Sequence, residues 1–107
     1  MKLNVHERLI LSSLLPEKGN FETMGTIEKL RSVLLLTEEE VEKYEFKQSS
    51  KGTITWNKEG SEQVEIEISI KGMALLISTL EKLDEKEELD LHAYNIYKRI
   101  KEEENIK

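Results

Sequence analysis

Apolar and polar residues recur along the first half of the chain with the three-to-four-residue period that is typical of amphipathic helices. Asn4 followed by Glu7 has the spacing of a capping box, in which each side chain accepts a hydrogen bond from the other residue's backbone N–H. The helix that begins there is predicted to end at Pro16, because proline lacks the N–H that would continue it. Its apolar residues surround most of the cylinder, which predicts a helix covered on several sides.

Two further helices are predicted before the middle of the chain. Asn20 or Thr23 can cap the second helix, whose apolar residues fall on one face. Thr37 and Glu40 have the spacing of another capping box, and the short helix that follows is predicted to end near Phe46. The chain therefore begins with three predicted helices joined by short connections.

A change to a two-residue period marks the next segment as a β-hairpin. Residues 53–56 are β-branched or aromatic, residues 57–60 have the composition of a turn, and residues 64–70 alternate strictly between apolar and polar. One face of the hairpin is predicted to be buried by the helix that follows. The hairpin residues predicted to supply core contacts are Ile54, Trp56, Val64, Ile66, Ile68 and Ile70.

The last part of the chain returns to helical spacing. Residues 73–83 have an apolar stripe, and Asp90 can cap a final helix before a polar tail from about residue 102. The predicted fold class is α+β and mostly helical, with three helices, a β-hairpin and then two helices. We expect residues 1–107 to form a single domain, because a chain of this length supports one hydrophobic core.

The composition excludes several classes of function. The chain has no cysteine, so a disulfide framework, a thiol nucleophile and an iron–sulfur cluster are ruled out. No apolar stretch approaches the ~20 residues that a membrane-spanning helix needs. The N-terminal sequence also lacks the pattern of a signal peptide. These features predict a cytoplasmic protein with no membrane partner and a reducing environment.

Three helices followed by a hairpin is the element order of winged-helix domains, in which the third helix enters the major groove of DNA. The charge of the chain argues against that function. Its 22 acidic and 16 basic residues give a formal net charge of −6, and the third predicted helix is rich in glutamate. Affinity for nucleic acid depends on neutralising phosphates with Lys and Arg, so such a surface would repel it. The basic residues that could still contact a phosphate backbone are Lys43, Lys47, Lys51 and Lys58.

Four short segments resemble a known group of proteins. They are residues 14–21 (LLPEKGNF), 27–31 (IEKLR), 37–40 (TEEE) and 54–57 (ITWN). Over these segments the chain resembles small uncharacterised proteins encoded by phages and prophages of Gram-positive bacteria. The resemblance covers roughly the first half of the chain, and it implies a phage or prophage origin without a reaction or a set of site residues.

No constellation of residues predicts catalysis or a bound cofactor. His6 and His92 are the only histidines, they lie on different predicted helices, and neither is followed four residues later by a second ligand. The paired glutamates of the third helix and of the hairpin are explained by a helix N-terminus and by the solvent face of a strand. We therefore predict no enzymatic activity, no metal and no cofactor.

Three residues are predicted to contact a partner: Trp56, Leu91 and Tyr94. Trp56 either anchors the hairpin in the core or belongs to an interface, where tryptophan is enriched. Leu91 and Tyr94 fall outside the apolar stripe of the last helix, so a monomer would expose them together. Such a pair predicts a homodimer through that helix.

These observations together predict a small cytoplasmic binding or regulatory protein that acts through protein–protein contacts with an unknown protein partner. The alternative is a winged-helix protein that binds nucleic acid. A third hypothesis uses the acidity itself, with the chain acting as a decoy that occupies the nucleic-acid site of another protein.

Overall fold

The computed structural model describes residues 1–104, and helices account for most of them. The helices are α1 (Val5–Leu14), α2 (Phe21–Leu34), α3 (Glu38–Lys43), α4 (Ile70–Glu85) and α5 (Leu91–Glu104). Two small antiparallel sheets complete the fold, in which β1 (Lys2–Leu3) pairs with β4 (Val64–Glu65) and β2 (Lys47–Gln48) pairs with β3 (Ile54–Thr55). The fold class is therefore α+β and mainly helical, which confirms the prediction.

The predicted starts of the first three helices are confirmed by their hydrogen bonds. Glu7 N donates to Asn4 Oδ1 at 2.9 Å, and Asn4 N donates to Glu7 Oε1 at 3.0 Å, which closes the capping box of α1. Thr37 and Glu40 close the same arrangement at α3, and Asn20 caps α2. Each cap satisfies N–H groups that have no partner within the first turn of the helix.

The predicted hairpin between residues 53–56 and residues 64–70 is wrong. β3 pairs instead with β2, and β4 pairs with β1 at the N-terminus. The Ile66 N–H donates to the Met1 carbonyl at 2.9 Å, and the Met1 ammonium group donates to the Ile66 carbonyl at 3.0 Å. The partner of the alternating segment is thus the first three residues of the chain, which are too few to show a period in the sequence.

Helix α4 begins inside the segment that alternation predicts to be a strand. The Ser69 hydroxyl accepts a hydrogen bond from the Gly72 N–H at 3.0 Å, so the helix starts at Ile70 rather than after Gly72. Serine fits the polar position of an alternating strand, and it is also one of the preferred N-cap residues. A side chain inside the predicted strand therefore caps the helix.

The six hairpin residues predicted to supply core contacts differ in how deeply the structure buries them. Ile66 is buried, Val64 and Ile68 pack partly against the core, and Trp56 is half-buried. Ile54 and Ile70 are exposed, and the prediction that they lie in the core is wrong. Ile70 leaves the core because it is the first residue of α4 and not the last residue of a strand.

Two helix ends also differ from the sequence pattern. Helix α3 ends at Lys43 and not near Phe46, because Glu45 adopts a left-handed conformation with φ of 51°. The Phe46 N–H then turns back to the Val41 carbonyl at 3.0 Å, which is the hydrogen bond of a Schellman C-cap. Helix α5 continues to Glu104, past the point where the sequence becomes polar. Any tail at residues 105–107 lies outside the described residues.

The hydrophobic core lies between α1, α2, α4 and α5, since α1 and α4 each contact both α2 and α5. Strand β1 packs against α1 and adds Leu3 to the same core. The largest fully buried side chains are Leu3, Val5, Leu11, Ile27, Leu76, Leu80, Ile96 and Ile100. Because these residues come from both ends of the chain, the core joins the N-terminal strand to the C-terminal helix.

Candidate functional site

Two adjoining depressions follow the side of the molecule where α2 faces the segment that leads into α4. One, of about 430 Å³, lies between the starts of α2 and α4, and the other, of about 590 Å³, lies between α2 and residues 65–69. Lys29 and Ser69 line both depressions, so we treat them as one surface, the α2–α4 groove. Its lining includes Phe21, Gly25, Lys29, Val33, Ile68 and Ile70.

Two large apolar side chains in this groove are almost fully exposed. Phe21 is 97% exposed and Ile70 is 91% exposed. Each is the first residue of its helix, after the caps Asn20 and Ser69, and that position directs the side chain away from the core. A single exposed apolar residue is ordinary in a protein surface, but two that line one depression form a patch. Within residues 1–104, the rest of the chain leaves this patch uncovered.

The groove is bordered by charges of both signs. Lys71 Nζ lies 3.7 Å from Glu22 Oε1, and both side chains are exposed. At the other end the Met1 ammonium group lies 2.7 Å from Glu65 Oε2, and its hydrogen bond holds the pKa of Glu65 below the ordinary value. An apolar floor with a charged rim is the usual anatomy of a protein–protein interface.

An ion pair between buried Arg8 and half-buried Glu40 joins α1 to α3. Arg8 is only 3% exposed, and its guanidinium group donates to Glu40 Oε2 at 2.7 Å and to Glu40 Oε1 at 3.2 Å. The same group donates to the carbonyls of Leu34 at 3.0 Å and Leu35 at 2.7 Å. The hydrogen bond from Arg8 is the main reason that the pKa of Glu40 is lowered.

The Arg8–Glu40 pair connects three helices, since Arg8 lies on α1, the Leu34 carbonyl ends α2 and Glu40 lies on α3. It satisfies carbonyls at the end of α2 and also holds the carboxylate that caps α3. Sequence reasoning assigned Glu40 to the capping box and gave no role to Arg8. The available signal was an arginine in a helix predicted to be covered on several sides, where a charged side chain requires a partner.

The two histidines, which lie far apart in the sequence, meet on the surface. His6 Nε2 lies 3.3 Å from His92 Nδ1, and the ring centroids are 4.9 Å apart at an angle of 80°. They come together because α1 and α5 pack side by side. The ring of Trp56 lies 6.3 Å from that of His6 and packs on Gly60, where an added Cβ would come within 2.7 Å of it.

The three residues predicted to contact a partner do not form one surface. Leu91 is 71% exposed and Tyr94 is 48% exposed, in keeping with their place outside the apolar stripe of α5. Tyr94 lines a depression with Leu89 and Asp84, whereas Trp56 lies beside the histidine pair. At ~100° per residue, Tyr94 and His92 point to opposite flanks of α5. Trp56 is therefore separated from Leu91 and Tyr94.

The surface formed by α3 and the β2–β3 hairpin, which a winged-helix protein would place on DNA, carries both positive and negative side chains. The lysines of this region, Lys43, Lys47, Lys51 and Lys58, are all exposed. The exposed side chains of α3 include Glu38, Glu39 and Glu42. The β2–β3 hairpin follows α3, which is the position of a wing. Its strand β3 lies within the predicted strand 53–56, but its partner is β2 and not residues 64–70.

Within residues 1–104, no three His, Asp or Glu side chains come together as ligands for a metal ion. In the same part of the chain, no helix combines the length and the apolar character needed to cross a membrane. Comparison with protein-family models, with curated proteins and with solved structures finds no match for this chain. The function proposed below therefore rests on the chemistry of the surface.

Proposed function

We propose that this chain is a small cytoplasmic binding or regulatory protein, of phage or prophage origin, that contacts another protein through the α2–α4 groove. The observation that carries the proposal is the exposure of Phe21 and Ile70 in one depression. Adjacent exposed apolar side chains mark interaction surfaces in small proteins. A buried aromatic anchor commonly supplies much of the binding energy of an interface.

The partner we propose is a basic protein that inserts an apolar side chain between Phe21 and Ile70. The chain has a formal net charge of −6, which attracts a basic surface at long range and increases the rate of encounter. The groove itself carries charges of both signs, with Glu67 near Lys29 and with Glu65 paired to the Met1 ammonium group, so this attraction comes from the chain as a whole. Many basic protein surfaces bind nucleic acid. If the partner's basic surface is of this kind, the chain and nucleic acid would compete for it.

The test is capture of the partner from a nuclease-treated lysate of the organism that encodes the chain. We expect a basic protein to be retained by the unmodified chain and to be lost when Phe21→Glu and Ile70→Glu are combined. The matched control combines Gln48→Glu with Asn95→Glu, two exposed positions outside the groove, which adds the same charge and should leave retention unchanged. Equal retention by the unmodified chain and by the groove variant would contradict the proposal.

Self-association through α5 is a separate proposal. Leu91 and Tyr94 are both exposed and lie about one turn apart on the same side of α5. The same two side chains on a second copy of the chain would cover them. Light scattering coupled to size exclusion at ~100 μM should report twice the chain mass, because even a weak interface with a micromolar Kd is populated there. Leu91→Glu with Tyr94→Glu should return the mass to one chain. A monomer in the unmodified protein would remove this proposal.

The alternative function is nucleic-acid binding by a winged-helix-like surface. The observation that favours it is the β2–β3 hairpin directly after α3, with Lys47 and Lys51 exposed on it or beside it. We expect weak binding, because the glutamates of α3 oppose phosphate. Fluorescence anisotropy with a labelled random duplex at low salt is the measurement. Submicromolar binding that weakens steeply with added salt would establish the alternative in place of the groove.

A further inference from the structure

We propose that His6 and His92 together bind a divalent transition-metal ion of the class that prefers imidazole, such as Zn²⁺, Ni²⁺ or Cu²⁺. The facing nitrogens, His6 Nε2 and His92 Nδ1, are 3.3 Å apart. Two imidazole nitrogens bound to one tetrahedral Zn²⁺ at the usual bond length are also about 3.3 Å apart. The pair is therefore already spaced as two ligands of one ion. Neither histidine lines the α2–α4 groove, so this site does not depend on the proposed function.

The proton arrangement of the pair allows both nitrogens to become ligands. In the hydrogen bond between the rings, one nitrogen donates and the other accepts, so one lone pair already faces its neighbour. A neutral imidazole carries its proton on either nitrogen. When the donating ring shifts its proton to its outer nitrogen, both facing nitrogens present lone pairs. The ion then binds both nitrogens from beside the line that joins them, because the midpoint of their 3.3 Å separation is closer to each nitrogen than the ~2.0 Å of a Zn–N bond. The neutral rings lose no proton in this exchange.

The surrounding structure holds the two helices together and leaves both rings accessible. His6 lies in the first turn of α1 and His92 in the first turn of α5, and both side chains are exposed. Arg99 donates a hydrogen bond to the Glu7 carboxylate, which ties the same two helices together and balances the charge of the arginine. Because no third side chain within residues 1–104 completes the site, water would fill the remaining coordination positions.

A bound ion would link the two ends of the chain. His6 and His92 are separated by 86 residues in the sequence, and their helices belong to one core. An ion that binds the folded chain and finds no preformed pair in the unfolded chain stabilises the fold by mass action. Metal binding is therefore expected to raise the unfolding temperature of the chain.

The chain contains a reporter for this site. Trp56 is the single tryptophan, and its ring centroid lies 6.3 Å from that of His6. Cu²⁺ bound at the pair should quench Trp56 fluorescence at short range, whereas Zn²⁺, which has a filled d shell, should compete without quenching. The chain has two histidines and no cysteine, so a preparation without an affinity tag contains no other imidazole or thiol ligand.

The experiment is a Cu²⁺ titration followed by Trp56 fluorescence in a buffer that does not chelate metal. We expect saturable quenching with one ion per chain, and reversal by a large excess of Zn²⁺, since Cu²⁺ binds imidazole sites more tightly than Zn²⁺. His6→Gln and His92→Gln should each raise the midpoint about tenfold or more, because one of two ligands is lost. Both histidines are exposed, so the variants should fold, and circular dichroism verifies this.

A thermal melt with Zn²⁺ supplies a readout that does not depend on the tryptophan. The unfolding temperature of the unmodified chain should rise with Zn²⁺ concentration, and that of either histidine variant should not. Quenching that survives both substitutions unchanged would place Cu²⁺ on carboxylates or on the terminal amine and would overturn the proposal. Quenching that does not saturate in the unmodified chain would overturn it as well.

Discussion

Replacing Glu40 by Ala is expected to lower the free energy of unfolding by about 3 kcal/mol, because it leaves a buried guanidinium group without its carboxylate. Arg8 is 3% exposed and would retain only the carbonyls of Leu34 and Leu35 as acceptors. The Thr37 N–H would also lose the Glu40 oxygen that accepts from it at 3.0 Å. Urea denaturation of the variant and the unmodified chain measures the difference.

The matched control for this variant is Glu39→Ala. Glu39 lies on the same helix and in the same first turn, but it is exposed and makes no contact with Arg8. Its loss should change the free energy of unfolding by about 0.5 kcal/mol or less, as is usual for an exposed surface position. Equal effects of the two substitutions would show that neither the pairing of Glu40 with Arg8 nor its capping hydrogen bond contributes more than an exposed glutamate does.

The contribution of Glu40 should also depend on pH in a defined direction. Its pKa in the folded chain is lowered from the ordinary value of 4.5, chiefly by the hydrogen bond from Arg8. A carboxyl group with a lowered pKa in the folded state stabilises the fold fully above its unfolded pKa and loses that contribution as the pH falls through the folded value. The stability difference between the unmodified chain and Glu40→Gln should therefore be constant near neutral pH and should shrink below about pH 4.5.

Replacing Leu3 by Ala is expected to destabilise the fold by about 2–5 kcal/mol, the usual effect of a large-to-small change in a core. Leu3 is 0% exposed and pairs with Val64 in the sheet that joins the N-terminus to the segment before α4. Lys2→Ala is the matched control, because Lys2 lies on the same strand and its side chain is exposed. Chemical denaturation of both variants should show a large loss for the first and little change for the second.

A substitution of Ile70 tests whether the predicted strand 64–70 ends before this residue, as the structure shows. Alternation along residues 64–70 predicts a buried isoleucine, whereas the side chain is 91% exposed at the start of α4. Ile70→Ala should therefore leave the free energy of unfolding within about 0.5 kcal/mol of that of the unmodified chain. A loss as large as that of Leu3→Ala would restore the strand that alternation predicts and would contradict the pairing of β4 with β1.

The features that the sequence determined by itself are those formed by residues a few positions apart. The capping boxes of Asn4 with Glu7 and of Thr37 with Glu40 each depend on side chains three residues from their partner N–H groups. The exposure of Leu91 and Tyr94 likewise follows from their angle on one helix. These interactions close within a single turn, so no knowledge of the rest of the chain is needed to predict them.

The tertiary structure decided everything that depends on which segments become neighbours. Residues 64–66 pair with Met1–Leu3 and not with residues 53–56, because strand pairing is chosen by the burial of the whole core, and a local period carries no information about the partner. The same packing brings His6 to His92 and leaves Phe21 beside Ile70 on an open groove. Both proposed sites belong to this second class, since each joins side chains from helices that meet only when the core is formed.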